Sequence, residues 1–198
     1  MMIARLLKRN MPVAVIATTL GCVSASEGTG TDFRMVPSPA AATCLAKASA
    51  VVTVIHAGPV EKMHVEVTGL PPRTNFDFFV IQAPLAPFGL SWYQGDIETD
   101  AHGNGRGDFI GRFNIETFIV APGATAAPTV HGPDVATNPP TGPVHTFHLG
   151  LWFNSPADAT KAGCPGAVTP FNGEHSAGIQ VLNTSNFPNE GPLSQIRP

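Results

Sequence analysis

The stretch Lys62-Met63-His64-Val65-Glu66-Val67-Thr68-Gly69-Leu70-Pro71-Pro72-Arg73-Thr74-Asn75-Phe76-Asp77-Phe78-Phe79-Val80 decides the fold. Its first six residues alternate strictly. Met63, Val65 and Val67 point one way; Lys62, His64 and Glu66 point the other. That period of two marks a half-buried strand. Two prolines then stop the strand and force a turn. Phe76, Phe78 and Val80 resume the alternation on one face. Strand, Gly/Pro corner, strand is the grammar of an all-β domain.

Working outward, the same grammar repeats. Val51 to Ile55 is β-branched throughout and reads as a strand. Trp92 to Thr99 reads as another, followed by a turn at Asp100-Ala101-His102-Gly103-Asn104-Gly105. Gly107 to Phe113 returns, and Glu116 to Val120 adds a further strand. Val144 to Phe153 is the strongest, with His145, Phe147, Leu149, Leu151 and Phe153 on one face. Ser155 to Gly163 reads as a short helix, with Ser155 as N-cap, Pro156 as first helical residue and Gly163 as C-cap. Gly178 to Asn183 is the last strand, after a turn at Gly173 to His175.

Composition agrees. The 198 residues include 20 Gly and 20 Pro, and only 13% are charged, which disfavours helix bundles and coiled coils. A hydrophobic share of 43% with a net charge of only -3 excludes wholesale disorder.

The N-terminus reads as an address. Arg5, Lys8 and Arg9 precede an uncharged run from Met11 to Leu20, and Val23-Ser24-Ala25 offers small residues for cleavage. This is the pattern of a secretory signal peptide over 1–25. The apolar run is about ten residues, too short to span roughly 30 Å of hydrocarbon. No later stretch approaches a membrane span. Thr19-Leu20-Gly21-Cys22 resembles a bacterial lipoprotein signal, so lipidation of Cys22 stands as the alternative to cleavage after Ala25. Either choice leaves Cys44 and Cys164, an even pair that in an exported chain implies one disulfide. Without residues 1–25, eight basic residues face fourteen acidic ones, a formal net charge of -6. That argues against a nucleic-acid partner.

The expected organisation is a signal peptide at 1–25, a flexible lead-in at 26–48, a β-sandwich domain at 49–185 and a C-terminal tail of loop at 186–198. Within the domain, 121–143 is a long loop rich in Ala, Pro, Thr and Gly.

Leu70-Pro71-Pro72-Arg73-Thr74-Asn75-Phe76 resembles the E–F corner of fibronectin type III and immunoglobulin-like domains, where Leu-x-Pro-x-Thr-x-Tyr precedes a strand. The resemblance implies a single immunoglobulin-like β-sandwich with one short helix. Phe76 replaces the corner tyrosine, so the hydroxyl hydrogen bond of that corner is lost. Gly69-Leu70-Pro71-Pro72 also resembles copper–zinc superoxide dismutases and their non-catalytic relatives. There the next strand carries a His-x-His copper pair. Here it reads Asp77-Phe78-Phe79, so the resemblance brings neither metal nor activity. Phe88-Gly89-Leu90-Ser91-Trp92-Tyr93-Gln94-Gly95-Asp96 and Phe171-Asn172-Gly173-Glu174-His175 resemble runs shared by secreted bacterial proteins that carry no assigned activity.

Motifs for chemistry are sparse. His145 and His148 are three apart on a strand and face opposite ways, and the other histidines are scattered, so no metal or other cofactor is expected. Asp100 to Gly105 starts like a calcium loop, but its twelfth position is Gly111, where a bidentate acid is required. No Gly-x-Ser-x-Gly elbow, His-Glu-x-x-His or phosphate-cradling loop is present. Arg106-Gly107-Asp108 reads as a coincidental tripeptide, and Asn183-Thr184-Ser185 is a glycosylation sequon. Asp96 and Glu98 share a strand face as a carboxylate pair, with His148 or His175 as partners for a secreted hydrolase. Trp92, Tyr93, Phe88 and Trp152, large aromatics beside Gly and Pro, read as core or sandwich-edge packing, with an aromatic binding platform as the alternative. The leading expectation is an exported binding or cell-surface module for an extracellular or periplasmic ligand; the hydrolase is the alternative.

Overall fold

The computed structural model describes residues 30–115, 117–119, 143–169 and 175–197. The chain runs β1 (Thr31–Pro37), β2 (Ser49–Ala57), β3 (Val60–Thr68), β4 (Asn75–Ile81), β5 (Ser91–Glu98) and β6 (Gly105–Gly111). It continues through β7 (Thr117–Ile119), β8 (Pro143–His145), β9 (His148–Phe153), helix α1 (Pro156–Lys161), β10 (Gln180–Asn183) and a 3₁₀ turn at Pro192–Gln195. The fold is all-β with one short helix, as the sequence indicates. The signal peptide, Cys22 and all but the last residue of the 121–143 loop lie outside the described residues, as does Phe171 to Glu174.

Eight strands form one antiparallel sheet in the order β5-β4-β9-β10-β1-β2-β3-β6. Its two layers are halves of the same sheet, because β1 belongs to both. Thr31 to Met35 pairs with β2, and Val36 and Pro37 pair with β10. The edge strands β5 and β6 are consecutive, and a bridge between Thr99 and Gly105 brings them together. The sheet therefore nearly closes into a barrel, which shelters its edges. Strand β3 lies beside β6 in Greek-key fashion. Among the described residues, β7 and β8 pair only with each other.

The core forms on the faces that alternation assigns. Met63, Val65 and Val67 of β3, Phe76, Phe78 and Val80 of β4, and Leu149, Leu151 and Phe153 of β9 are all buried in it. Phe78 stacks on Phe109 across the barrel, ring centres 4.9 Å apart. Strands β4 and β9 bury their outer faces too. Phe79, Ile81 and Trp152 form a second cluster there, with Ala177 and Phe88 over it. The run Phe78-Phe79-Val80-Ile81 has no polar alternate, as a strand covered on both faces requires.

Helix α1 begins as expected. Ser155 Oγ accepts from Asp158 N at 3.1 Å, and Pro156 opens the first turn. The C-cap is Ala162, and Gly163 follows with φ of 75°, the left-handed exit glycine favours. Cys164 N then donates to Ala159 O at 2.8 Å, setting Cys164 against Cys44. The expected Cys44–Cys164 disulfide is present, with the two Cα atoms 5.5 Å apart.

Three expectations are corrected. The lead-in 26–48 is not flexible over its described part: Phe33 and Met35 of β1 are in the core, and Ala41 and Ala48 are buried behind it. Its period-2 signal spans only a few residues amid small polar ones. The tail is not plain loop. Leu193 and Ile196 are buried, and the Phe187 ring lies 5.9 Å from that of Phe33. The core thus extends beyond residue 185. Finally, the strand expected at Val144 to Phe153 breaks at Thr146-Phe147, where the Phe147 carbonyl accepts from Leu193 N instead of a ladder partner.

Candidate functional site

Strand β5 carries four of the six candidate residues, and a bulge decides where they point. Phe78 opposes Gly95 while Phe79 opposes Tyr93, leaving Gln94 as an extra residue. Directly opposed residues share a face, so Tyr93, Asp96 and Glu98 lie with Phe79, Asp77 and Asn75 on the outer face. Trp92 opposes Val80 on the other side and is 54% exposed.

Tyr93 Oη donates to Asp96 Oδ1 at 2.5 Å, and Asn75 Nδ2 donates to Oδ2 at 3.1 Å. Burial, then the Asp96 carboxylate, push the Tyr93 phenol well above its usual value, so it remains a protonated donor. Both Asp96 oxygens are thus engaged. Asp77, opposite Asp96 and fully buried, accepts from Asn154 Nδ2 at 2.8 Å. Glu98 points to a different cleft of about 580 Å³, which it shares with Glu66, Asp100 and Arg106.

The histidines do not join them. His148 is sealed in the interior. Its Nε2 lies 3.0 Å from the Asn189 carbonyl, so Nε2 carries the proton and Nδ1 accepts from Thr184 Oγ1 at 2.9 Å. His175 is exposed on a separate segment. The structure therefore brings Tyr93 to Asp96, keeps Glu98 on the same strand face but in another cleft, and places Trp92, His148 and His175 elsewhere. Among the described residues, no three His, Cys, Asp or Glu side chains gather as a metal site. No described helix is long and apolar enough to cross a membrane.

Two motifs also resolve. Arg106-Gly107-Asp108 lies extended within the β3–β6 ladder, where Asp108 binds His64 at 2.7 Å. Asn183 of the sequon is buried, and its amide donates to Pro84 O and Gln180 Oε1, so it offers no acceptor nitrogen to a glycan. Glu61 is a surprise. It continues the inward row of Met63 and is buried, with Oε2 lacking any hydrogen-bond partner and His56 and Arg112 about 4 Å from Oε1.

The feature that alternation misses is a groove. Segments 38–40, 85–88 and 165–169 wall a cavity of about 700 Å³ whose floor holds Trp152, Ile179 and Gln180. None of its fourteen described lining residues is Asp, Glu, Lys, Arg or His. Phe88 stands edge-on to Trp152 at 5.0 Å, and Leu85 and Val168 on the walls are 44% and 51% exposed. Ser38, Gln180 and Thr169 on its lining already hold hydrogen bonds. Ser38 Oγ donates to Gln180 O, and Gln180 Nε2 donates to Pro84 O while Oε1 accepts from Asn183. Thr169 Oγ1 donates to Gly178 O. The sequence signal was two uncharged Pro-containing runs, Pro84 to Leu90 and Pro165 to Pro170, some eighty residues apart; nothing local joins them. Compared with known proteins, the chain matches no family model and no curated protein.

Proposed function

We propose that this protein is an exported binding module, secreted or periplasmic, whose ligand site is the groove over Trp152. Its size carries the reading: about 700 Å³, within the range of small-molecule sites, on a rigid sheet. Export is supported by the charged start, apolar run and small-residue exit of residues 1–25, and by a disulfide, which persists in oxidising compartments. The hydrolase reading at Asp96 and Glu98 finds little support. Asp96 is held by Tyr93 and Asn75, and Glu98 faces another cleft without a histidine.

Mass spectrometry of the mature protein is expected to find Ser26 at its N-terminus; a diacylated Cys22 would make it a lipid-anchored protein instead. A thermal-shift panel of sugars, peptides and apolar molecules, run beside glycoside and ester substrates, tests the activity. Stabilisation without turnover is expected. Turnover that disappears in Glu98→Gln would establish the hydrolase.

A further inference from the structure

We infer that the groove selects an uncharged, apolar small molecule and rejects charged ones; this rests on the binding reading above. The argument is one of satisfaction. A charged ligand entering the groove would lose water and find no counter-charge among the described lining residues, none of which ionises. A ligand rich in hydroxyl or amide groups would compete with hydrogen bonds that lining side chains already make within the protein. Ser38, Thr169 and Gln180 already spend their hydrogen bonds on protein carbonyls and on Asn183. What the groove does offer is aromatic and aliphatic surface. Trp152 is itself fully buried beneath the groove, braced edge-on by Phe79 at 5.5 Å and Phe88 at 5.0 Å, so a ligand would meet the part-exposed Phe88 and the loop side chains over a fixed base. Leu85 and Val168 present their side chains from opposite loops, and both are substantially exposed. Apolar burial is then the term available for binding.

A matched pair of probes tests this. N-phenyl-1-naphthylamine is neutral; 1-anilinonaphthalene-8-sulfonate has the same rings and one negative charge. In a Trp92→Phe background, Trp152 is the remaining tryptophan, and energy transfer from it reports occupancy of the groove. The neutral probe is expected to bind at least about tenfold more tightly than the anion, because only the anion brings an unpaired charge into the groove. Val168→Glu should abolish binding of the neutral probe. Leu85→Lys should shift the preference toward the anion by supplying the missing counter-charge. Both positions are exposed, and near-UV circular dichroism confirms that each variant keeps its fold. Equal affinity for the two probes, with Val168→Glu still blocking both, would overturn the ligand class and leave the binding site standing. If neither probe binds and no panel compound is blocked by Val168→Glu, both readings fall.

Discussion

Thr99 ties one corner of the barrel, beside the Phe76 that stands where the fibronectin-like corner has its tyrosine. Its Oγ1 lies 2.6 Å from the Pro71 carbonyl, to which it donates, and accepts from Thr74 N at 3.0 Å. The side chain is buried, so both bonds are made away from water. Thr99→Val keeps the shape and strands two polar backbone groups. It is expected to lower unfolding free energy by about 1–3 kcal/mol in urea titration, with Thr99→Ser close to the parent. A midpoint unchanged in Thr99→Val would show that the corner does not depend on this hydroxyl. The sequence revealed the corner and the absence of a tyrosine. It could not reveal the Thr99 bonds, because Thr99 is 25 residues from Thr74 and reaches it only once β4 and β5 pair. Gly103 belongs to the same junction. Its φ is 78°, and a Cβ there would collide with the Leu70 carbonyl.

At the scale of elements, β3 and β6 hold a charged set on their outer faces. His64 Nδ1 lies 2.7 Å from Asp108 Oδ1, and Nε2 lies 3.3 Å from Glu66 Oε1. The Asp108 hydrogen bond raises the imidazole above its usual 6.5; partial burial opposes it, and Glu66 adds to it. A raised folded value means that protonation favours the folded state. The contribution is complete below the unfolded value and fades as pH rises through the folded one. Solvent screens this surface set, so the effect shows in titration more than in stability. Proton NMR should place the His64 midpoint above 6.5, and Asp108→Asn should lower it; a midpoint indifferent to Asp108 would refute the coupling. The periodicity of β3 was plain in the sequence. The bulge in β5 was not. Strict alternation groups Trp92 with Asp96, whereas the extra residue at Gln94 places Tyr93 there instead. Bulges depend on the partner strand, so local alternation does not show them.

For the whole molecule, the disulfide is the covalent long-range constraint. It spans 120 residues and joins the segment after β1 to the end of α1. Loop-closure entropy for such a span corresponds to about 4–5 kcal/mol. Guanidinium unfolding with and without reductant should therefore differ by several kcal/mol, and a Cys44→Ser/Cys164→Ser double variant should match the reduced protein. Thiol titration of the denatured, unreduced mature chain should find neither cysteine reactive. Two reactive thiols would remove the bridge and with it one support for export. The tail acts at the same scale. By burying Leu193 and Ile196 it completes a core that the strands alone leave open.

The sequence by itself determined the all-β class, most strand positions, the N-cap of α1 and the pairing of Cys44 with Cys164. These follow from short-range rules: side-chain period, proline and glycine stereochemistry, and cysteine number. Tertiary structure alone decided that β1 and the tail enter the core, that Thr99 fastens the corner, and that Asp96 meets Tyr93 while His148 is sealed away. It also decided the groove, whose walls come from three segments that meet only when the sheet curls and Trp152 is covered from outside. Each of these depends on contacts between residues far apart in the chain, and periodicity within one strand carries no record of its partner.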